Sequence, residues 1–423
     1  MITSLTNRIR TYFTGKDSVY LFKKADGVKP TKIDSVNLYI HIPFCNNLCP
    51  YCPYFKIKYD FQQVPAYIHA MLKEIDMYRD LFGKVDISSV YIGGGTPTLL
   101  IDELGAIFKS LGEKFSIKGD ICIETNPEDI TAGLIEKLKN NNVTLVSVGA
   151  QSFLGKHLQF IGRNYASSVV DGAIQRLLKA NFRSVNIDLL FALPGQTEKD
   201  VIYDLEKAID SGVNQVTTYP LFTFPYTSVG RYLKLKNVKM PNLAVRHRQY
   251  HCIYKFLTSK GFNRVSVWGF KKGDAPRYSS VTRDNYIGVG AGAGSHLPDG
   301  FYLNTFSVEE YTKKCLSDKF PVALHMNFTE NMQKYFWLYW RFYDTYICKD
   351  ELHKKFGFED GKISKLFSVS KSFNLIRENE KNYELTMSGS FWIHLLQNFF
   401  SLRYINKVWS VAIKEAYPSE ISL

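Results

Sequence analysis

Cys45, Cys49 and Cys52 fall within the run HIPFCNNLCPYC. The C-x3-C-x2-C spacing sets three thiolates on one tight loop, where they can hold three irons of a [4Fe-4S] cluster and leave the fourth iron open to an exogenous ligand. A zinc site completed by His41 or a remote cysteine is the alternative, although the spacing departs from the common two-plus-two arrangement. The chain has seven cysteines, an odd number. With this clustering, they suit metal chemistry in a reducing compartment better than a disulfide framework. Cys122 alternates with Ile121 and Ile123 and reads as a packed core thiol. Cys252, Cys315 and Cys348 lie in helix-like segments without metal spacing and read as structural.

Strand ends are the elements that must position such a loop. From residue 37 to about 222, short β-branched runs alternate with helical patterns, the habit of βα units around a parallel sheet. Six strands are predicted, Asn37 to Pro43, Val90 to Gly93, Ile121 to Asn126, Leu145 to Ala150, Val185 to Leu190 and Gln215 to Tyr219. A full eight-stranded barrel needs about 250 residues, so six units predict a partial (β/α)6 TIM barrel, with an open doubly wound sheet as runner-up. The cysteine loop then lies at the C-terminal edge of the first strand, where active-site loops of such barrels sit. The predicted organisation is an N-terminal extension over 1–34, the α/β barrel over 35–260, a glycine- and aromatic-rich cap and linker over 261–326, and a helical, winged-helix-like C-terminal domain over 327–423. A hairpin is expected from Phe373 to Leu385 around the turn Glu378 to Asn382.

The 423 residues are 45% hydrophobic and 22% charged, which argues against disordered, collagenous and coiled-coil classes. No apolar run is long enough for a membrane span, and Met1 to Lys16 lacks the apolar core of a secretory signal, so a cytoplasmic protein is expected. Basic residues exceed acidic ones by 53 − 40 = 13. That excess favours anionic partners, unless it is simply a solvated basic surface. Lys and Arg in the C-terminal segment are interleaved with core-type aromatics rather than clustered, so nucleic acid is not the expected partner.

The cysteine loop, with Tyr51 before its last cysteine, resembles the radical S-adenosylmethionine (SAM) superfamily. Together with YIGGGTPT from Tyr91, IETNP from Ile123, GAQSF from Gly149, IGR from Ile161 and NIDLLFALPGQT from Asn186, it is similar to the branch of oxygen-independent coproporphyrinogen III oxidase, over about residues 35 to 310. The resemblance implies a [4Fe-4S] cluster on Cys45, Cys49 and Cys52, and one SAM on its open iron beside Tyr39, Gly94 and Glu124. It also implies a second SAM at Tyr51, Gly95, Thr96, Gln151, Arg163 and Asp188. Caps at strand ends are the plainer reading of Glu124 and Asp188. The His-Asn-x-x-Tyr-Trp signature of haem-chaperone relatives is absent, since the chain reads RYSSVTRDNYIG from Arg277. The tail LTMSGSFWIHLLQNFF and the SVWGF segment look more like class C methyltransferases and anaerobic haem-degrading relatives.

The activity expected from this resemblance is transfer of a methyl or methylene unit to an sp2 carbon of a planar conjugated substrate, using two SAM molecules. The alternatives are haem or porphyrin modification, by ring opening or coproporphyrinogen-type decarboxylation, and a haem carrier without turnover. A flavodoxin- or ferredoxin-type electron donor is implied. A planar, anionic substrate is expected to meet Tyr219, Tyr278 and Arg283 at the barrel mouth, because flat rings stack on aromatic faces and arginine forks hold carboxylates. His296 reads as a loop residue rather than a haem ligand, and Phe336, Trp337, Tyr339 and Trp340 as an interdomain core.

Overall fold

A computed structural model describes residues 2–16, 18–224, 227, 238–278, 284–357 and 360–423. At its centre lie six strands, β1 (Ser35–Ile42), β2 (Asp86–Gly94), β3 (Ile121–Thr125), β4 (Leu145–Gln151), β5 (Ser184–Phe191) and β6 (Gln215–Pro220). Each is paired in parallel with its chain neighbour. A doubly wound sheet reverses its strand order at a switch point. This one never does, so the curved α/β arrangement expected of a partial barrel is the observed one. The strands are nearly continuous apolar runs, as burial on both faces requires. In β1, for example, Val36, Leu38, Ile40 and Ile42 are buried.

The connecting helices follow local rules. Helix α2 (Val64–Phe82) starts with a proline in its first turn and buries Val64, Tyr67, Ile68, Met71, Ile75 and Tyr78, a stripe at helical spacing. Helix α3 (Glu198–Asp210) begins with a capping box in which Thr197 and Asp200 satisfy each other's backbone amides.

The 261–326 stretch is not a cap or linker, because it continues the sheet at both edges. Strands Phe262–Arg264 and Gly269–Lys272 extend it antiparallel from β6. Beyond β1 come Tyr286–Val289, Gly294–Leu297, Gly300–Asn304 and Val322–Asn327. Glycine conceals these strands in the sequence, yet close strand approach requires it. At Gly300 a Cβ would lie 2.1 Å from the Met326 carbonyl oxygen. The N-terminal segment is equally integrated, with strand Leu21–Lys24 pairing between Val322–Asn327 and Glu420–Ser422. Helix α1 (Ile2–Thr14) sets the Phe13 ring 5.1 Å from that of Tyr335.

The C-terminal part contains α4 (Glu330–Tyr343), helices Lys349–Phe356 and Gly361–Ser372, and α5 (Met387–Ala412). The expected hairpin is present, Ile376–Glu378 against Asn382–Leu385, with Tyr346–Cys348 as a third strand. These elements share a core of Leu338, Phe342, Ile347, Leu352, Ile363, Phe367, Ile376 and Leu385. No helix among the described residues is long and apolar enough to cross a membrane.

Candidate functional site

The cysteine loop is pinned where it leaves β1. Phe44–Cys45 pairs with Ile57–Lys58, and the Tyr59 amide donates to the Cys45 carbonyl at 2.9 Å. Cys45 is buried, while Cys49 and Cys52 are half-buried. Burial pushes the Cys45 thiol up to about 11, against a hydrogen bond from Thr96, and Cys52 and Cys49 raise it further. A cationic metal centre held by the three thiols would relieve the cost of charging them. Gly95 has no room for a side chain, since a Cβ there would lie 2.5 Å from the Phe44 carbonyl oxygen and 3.0 Å from Cys45 Sγ.

His41 is already committed. Its Nδ1 meets the Tyr39 hydroxyl at 2.6 Å and its Nε2 the Phe55 carbonyl at 3.0 Å, and burial holds its pKa down to about 4. It is therefore a neutral strut, and the zinc alternative loses its nearest fourth ligand. Among the described residues, no three His, Cys, Asp or Glu side chains converge as the ligands of a single ion would. Zinc requires donors about 2.0 to 2.3 Å from one point. A cluster whose irons occupy separate corners accepts thiols set apart, so the donor set fits the [4Fe-4S] expectation.

Beside the loop, the ends of β2 and β3 form a polar ledge. The Gly94 amide donates to Glu124 Oε2 at 3.2 Å, and Tyr91 donates to Glu124 Oε1. Tyr278 in turn donates to the Tyr91 hydroxyl at 2.7 Å. Gly94 has φ of 112°, and a Cβ there would lie 2.7 Å from the His41 ring, so only glycine lets this amide face the carboxylate. Burial lifts Glu124 to about 7, with Asp188 adding repulsion. Asp188 itself is raised to about 6 by burial, against hydrogen bonds from Ser147 and Asn186. Two desolvated carboxylates in one barrel interior favour a cationic guest.

A second group lies toward β4 and β5. Asn126 Nδ2 donates to Thr96 Oγ1 and Arg163 Nη1 donates to Asn126 Oδ1, both at 2.9 Å. Arg163 neighbours Tyr51, and its Nε is buried without a partner. Gln151 ends β4 with φ of 70° and accepts from the Tyr219 hydroxyl at 2.9 Å. This left-handed turn is held by buried Asp204, which accepts from Ser152 Oγ at 2.8 Å and the Phe153 amide at 2.7 Å. Tyr219 also feels Asp188 and Tyr51 electrostatically, so it ties the group together.

A cavity of about 890 Å³ opens between the barrel, α1, α4 and α5. Tyr39, Gly94 and Glu124 border it, as do Tyr54, Tyr91, Tyr286, Phe336, Tyr339, Trp340, Phe399 and Phe400. Three of the four α4 aromatics expected to fill an interdomain core thus line an open space, while Trp337 packs against Phe356. Tyr219 and Tyr278, expected at the substrate, are set back from the cavity, because their hydroxyls are spent on Gln151 and Tyr91. Arg283 lies outside the described residues. His296 is buried, with its Nε2 3.2 Å from Gln333 Oε1. Asn126 and Tyr54 escape the sequence reasoning. Asn126 alone carried a signal, its place in IETNP between two motif glycines and Arg163.

Comparison with known proteins bears on this geometry. A family model described as the radical SAM superfamily matches residues 39–208. The haem chaperone HemW of Lactococcus lactis is 31% identical over 287 residues, covering 66% of this chain and 75% of that protein. Anaerobilin synthase of Escherichia coli O157:H7 is 27% identical over 378 residues, covering 86% of this chain and 84% of that protein. Among solved structures, coproporphyrinogen III oxidase (HemN) of Escherichia coli superposes with a TM-score of 0.76 at 20% identity, covering 94% and 98% of the two chains.

Proposed function

The chain belongs to the HemN-like family of the radical SAM superfamily, and from that membership we propose that it is an enzyme that opens or otherwise modifies the ring of a haem or porphyrin macrocycle. The observation that carries this reading is the aromatic cavity of about 890 Å³, bordered directly by Tyr39, Gly94 and Glu124. Its size lies at the upper end of ligand pockets, about 300 to 1,000 Å³. Its flat side chains offer stacking faces to a macrocycle. The relatives named above are described by haem or porphyrin chemistry, which favours this alternative over the methyl transfer expected from the sequence. The absence of the His-Asn-x-x-Tyr-Trp signature of haem-chaperone relatives favours ring chemistry over a carrier role.

Cys45, Cys49 and Cys52 would hold the cluster, and Tyr39, Gly94 and Glu124 the SAM at its open iron. Together, once an external donor had reduced the cluster by one electron, these cofactors would supply carbon-radical chemistry. The chain's own part is electrostatic and steric. Glu124 and Asp188 attract the sulfonium and ammonium charges, Gly94 lets backbone approach, and the aromatic wall excludes water. Tyr51, Gly95, Thr96, Gln151, Arg163 and Asp188 are assigned to a second SAM. Arg163, with its unpartnered Nε, suits the carboxylate of that molecule.

The test is an anaerobic incubation of reduced full-length protein with SAM and haem. Haem-dependent 5′-deoxyadenosine with loss of the haem absorption band is the expected result. A product heavier by CH2 would return the assignment to methyl transfer, and one lighter by CO2 would make it a decarboxylase. Haem binding without 5′-deoxyadenosine would make it a carrier.

A further inference from the structure

The outer face of the cysteine loop sets exposed apolar side chains among lysines. Phe44–Cys45 pairs in parallel with Ile57–Lys58, and three residues beyond that pair each segment carries an exposed apolar side chain, Leu48 at 50% and Phe61 at 69%. Lys58 is exposed and donates to the Asn46 carbonyl, and Lys56 donates to the Cys52 carbonyl at 2.8 Å. A carbonyl oxygen holds an ammonium without neutralising it. Exposed Lys239 stands between Val238 and Met240, which pack on the small core that Cys49 and Tyr51 share. The carboxylate in this stretch, Asp60, is taken up by the Gln62 amide at 3.0 Å and Gln63 Nε2 at 2.9 Å. The face therefore carries net positive charge around an apolar centre.

We propose that this face, centred on Leu48 and Phe61 and rimmed by Lys56, Lys58 and Lys239, docks a small acidic one-electron carrier protein. The proposal rests on the reading of Cys45, Cys49 and Cys52 as cluster ligands. A cluster held there has to take its electron from outside, and electron tunnelling weakens steeply with distance. Its inner side is assigned to SAM and opens to the cavity at Tyr39, Gly94 and Glu124. Cys45 is buried, so the short route runs outward through half-buried Cys49 and Cys52, the two ligands that Lys239 and Lys56 flank. An apolar centre with a charged rim is the usual anatomy of a protein interface, and redox encounters use small ones into which opposite charges steer the partner. The transfer moves one electron from carrier to cluster and no atom, so the carrier needs only to touch and leave.

The experiment uses the full chain and an acidic flavodoxin as the probe. A carbodiimide joins lysines directly to carboxylates in contact with them, and mass spectrometry of the wild type should locate the cross-links at Lys58 and Lys239, fading as salt is raised. Cross-links confined to other lysines, or none, overturn the dock, and this arm needs neither a variant nor a loaded cluster. The second arm follows 5′-deoxyadenosine formed from SAM in the presence of haem, driven either by reduced flavodoxin or by dithionite. The double variant Phe61→Ser, Lys239→Glu should lose about tenfold of the flavodoxin-driven rate, the effect of removing one interface anchor, and keep the dithionite-driven rate. An unchanged flavodoxin-driven rate overturns the dock. Should the variant lose both rates, the wild-type cross-links decide. A wild type that forms no 5′-deoxyadenosine even with dithionite removes the radical reading and the dock with it, whereas missing cross-links remove the dock alone.

Discussion

The strand-end site and the aromatic wall across the cavity from it are built on opposite terms. At the strand ends nearly every polar group is held by another: Glu124 by Gly94 and Tyr91, Asn126 by Thr96 and Arg163, Gln151 by Tyr219. On α4 and α5 the wall is made of rings such as Phe336, Trp340, Phe399 and Phe400, with few polar ties, one of them from Gln397 Nε2 to the Tyr339 carbonyl at 2.6 Å. A hydrogen-bonded constellation fixes atoms in place, whereas an apolar wall sets only shape and volume. The first region therefore has the precision that small charged cofactors demand, and the second has the tolerance suited to a large flat ligand.

The largest expected contrast lies in the cysteines. Replacing Cys45, Cys49 or Cys52 by Ala should abolish 5′-deoxyadenosine formation and deplete bound iron, while Ala at Cys122, Cys252, Cys315 or Cys348 should change neither. Equal sensitivity at any of the latter four would make the cluster assignment wrong. Next comes Glu124→Gln, which removes a charge from the ledge. SAM binding measured by calorimetry should weaken by about 1.5 to 3 kcal/mol, the worth of a hydrogen bond to a charged group. Phe399→Leu, a substitution on the opposite wall at an exposed ring, should leave SAM affinity unaltered and cost the fold under about 1.5 kcal/mol. If the two substitutions weaken SAM alike, the division between the regions does not hold.

A pH experiment sharpens the comparison at the turn where the regions meet. Glu74 is fully buried and accepts from the Gly290 amide, Asn304 and Tyr311, fixing the turn whose Gly292 lines the cavity. Burial pushes its pKa from 4.5 to about 7. In that window the folded chain keeps a proton that the unfolded chain has released. The stabilising contribution is thus complete below pH 4.5 and declines as pH rises toward about 7, by on the order of 3 kcal/mol. Glu74→Gln cannot titrate, so chemical denaturation at about pH 5 and about pH 7 should show a smaller stability loss in the variant than in the wild type. Matching losses would mean that Glu74 is not the titrating group. The smallest effect is expected for Gln151→Gly. It relieves the left-handed strain at φ of 70° but gives up the bond from Tyr219, so its stability should move by less than about 1 kcal/mol.

The same contrast governs what could be read from the sequence. The barrel is legible because β-branched runs repeat between helical stripes, and the neighbourhood of the strand-end residues because they sit in motifs there. Tyr39, Gly94 and Glu124 do converge. The wall was not legible. Phe336, Tyr339 and Trp340 have the spacing of a core stripe, and periodicity cannot distinguish a face that meets another side chain from one that meets an empty space. Glycine-rich strands such as Gly294–Leu297 were hidden for a related reason, since backbone pairing rather than side-chain pattern defines them. The ties of the Tyr219 and Tyr278 hydroxyls to Gln151 and Tyr91 are not legible in the sequence, because a hydroxyl's partner is a matter of tertiary contact.

Strand Leu21–Lys24, held between Val322–Asn327 and Glu420–Ser422, also puts an order on biosynthesis. All six barrel strands and the cysteine loop precede residue 221 in the chain, whereas α5, which lines the cavity, and strand Glu420–Ser422 follow it. The cavity gains its α5 wall only after the barrel strands, so a chain cut before Met387 keeps the cysteine loop and lacks Phe399 and Phe400 of that wall.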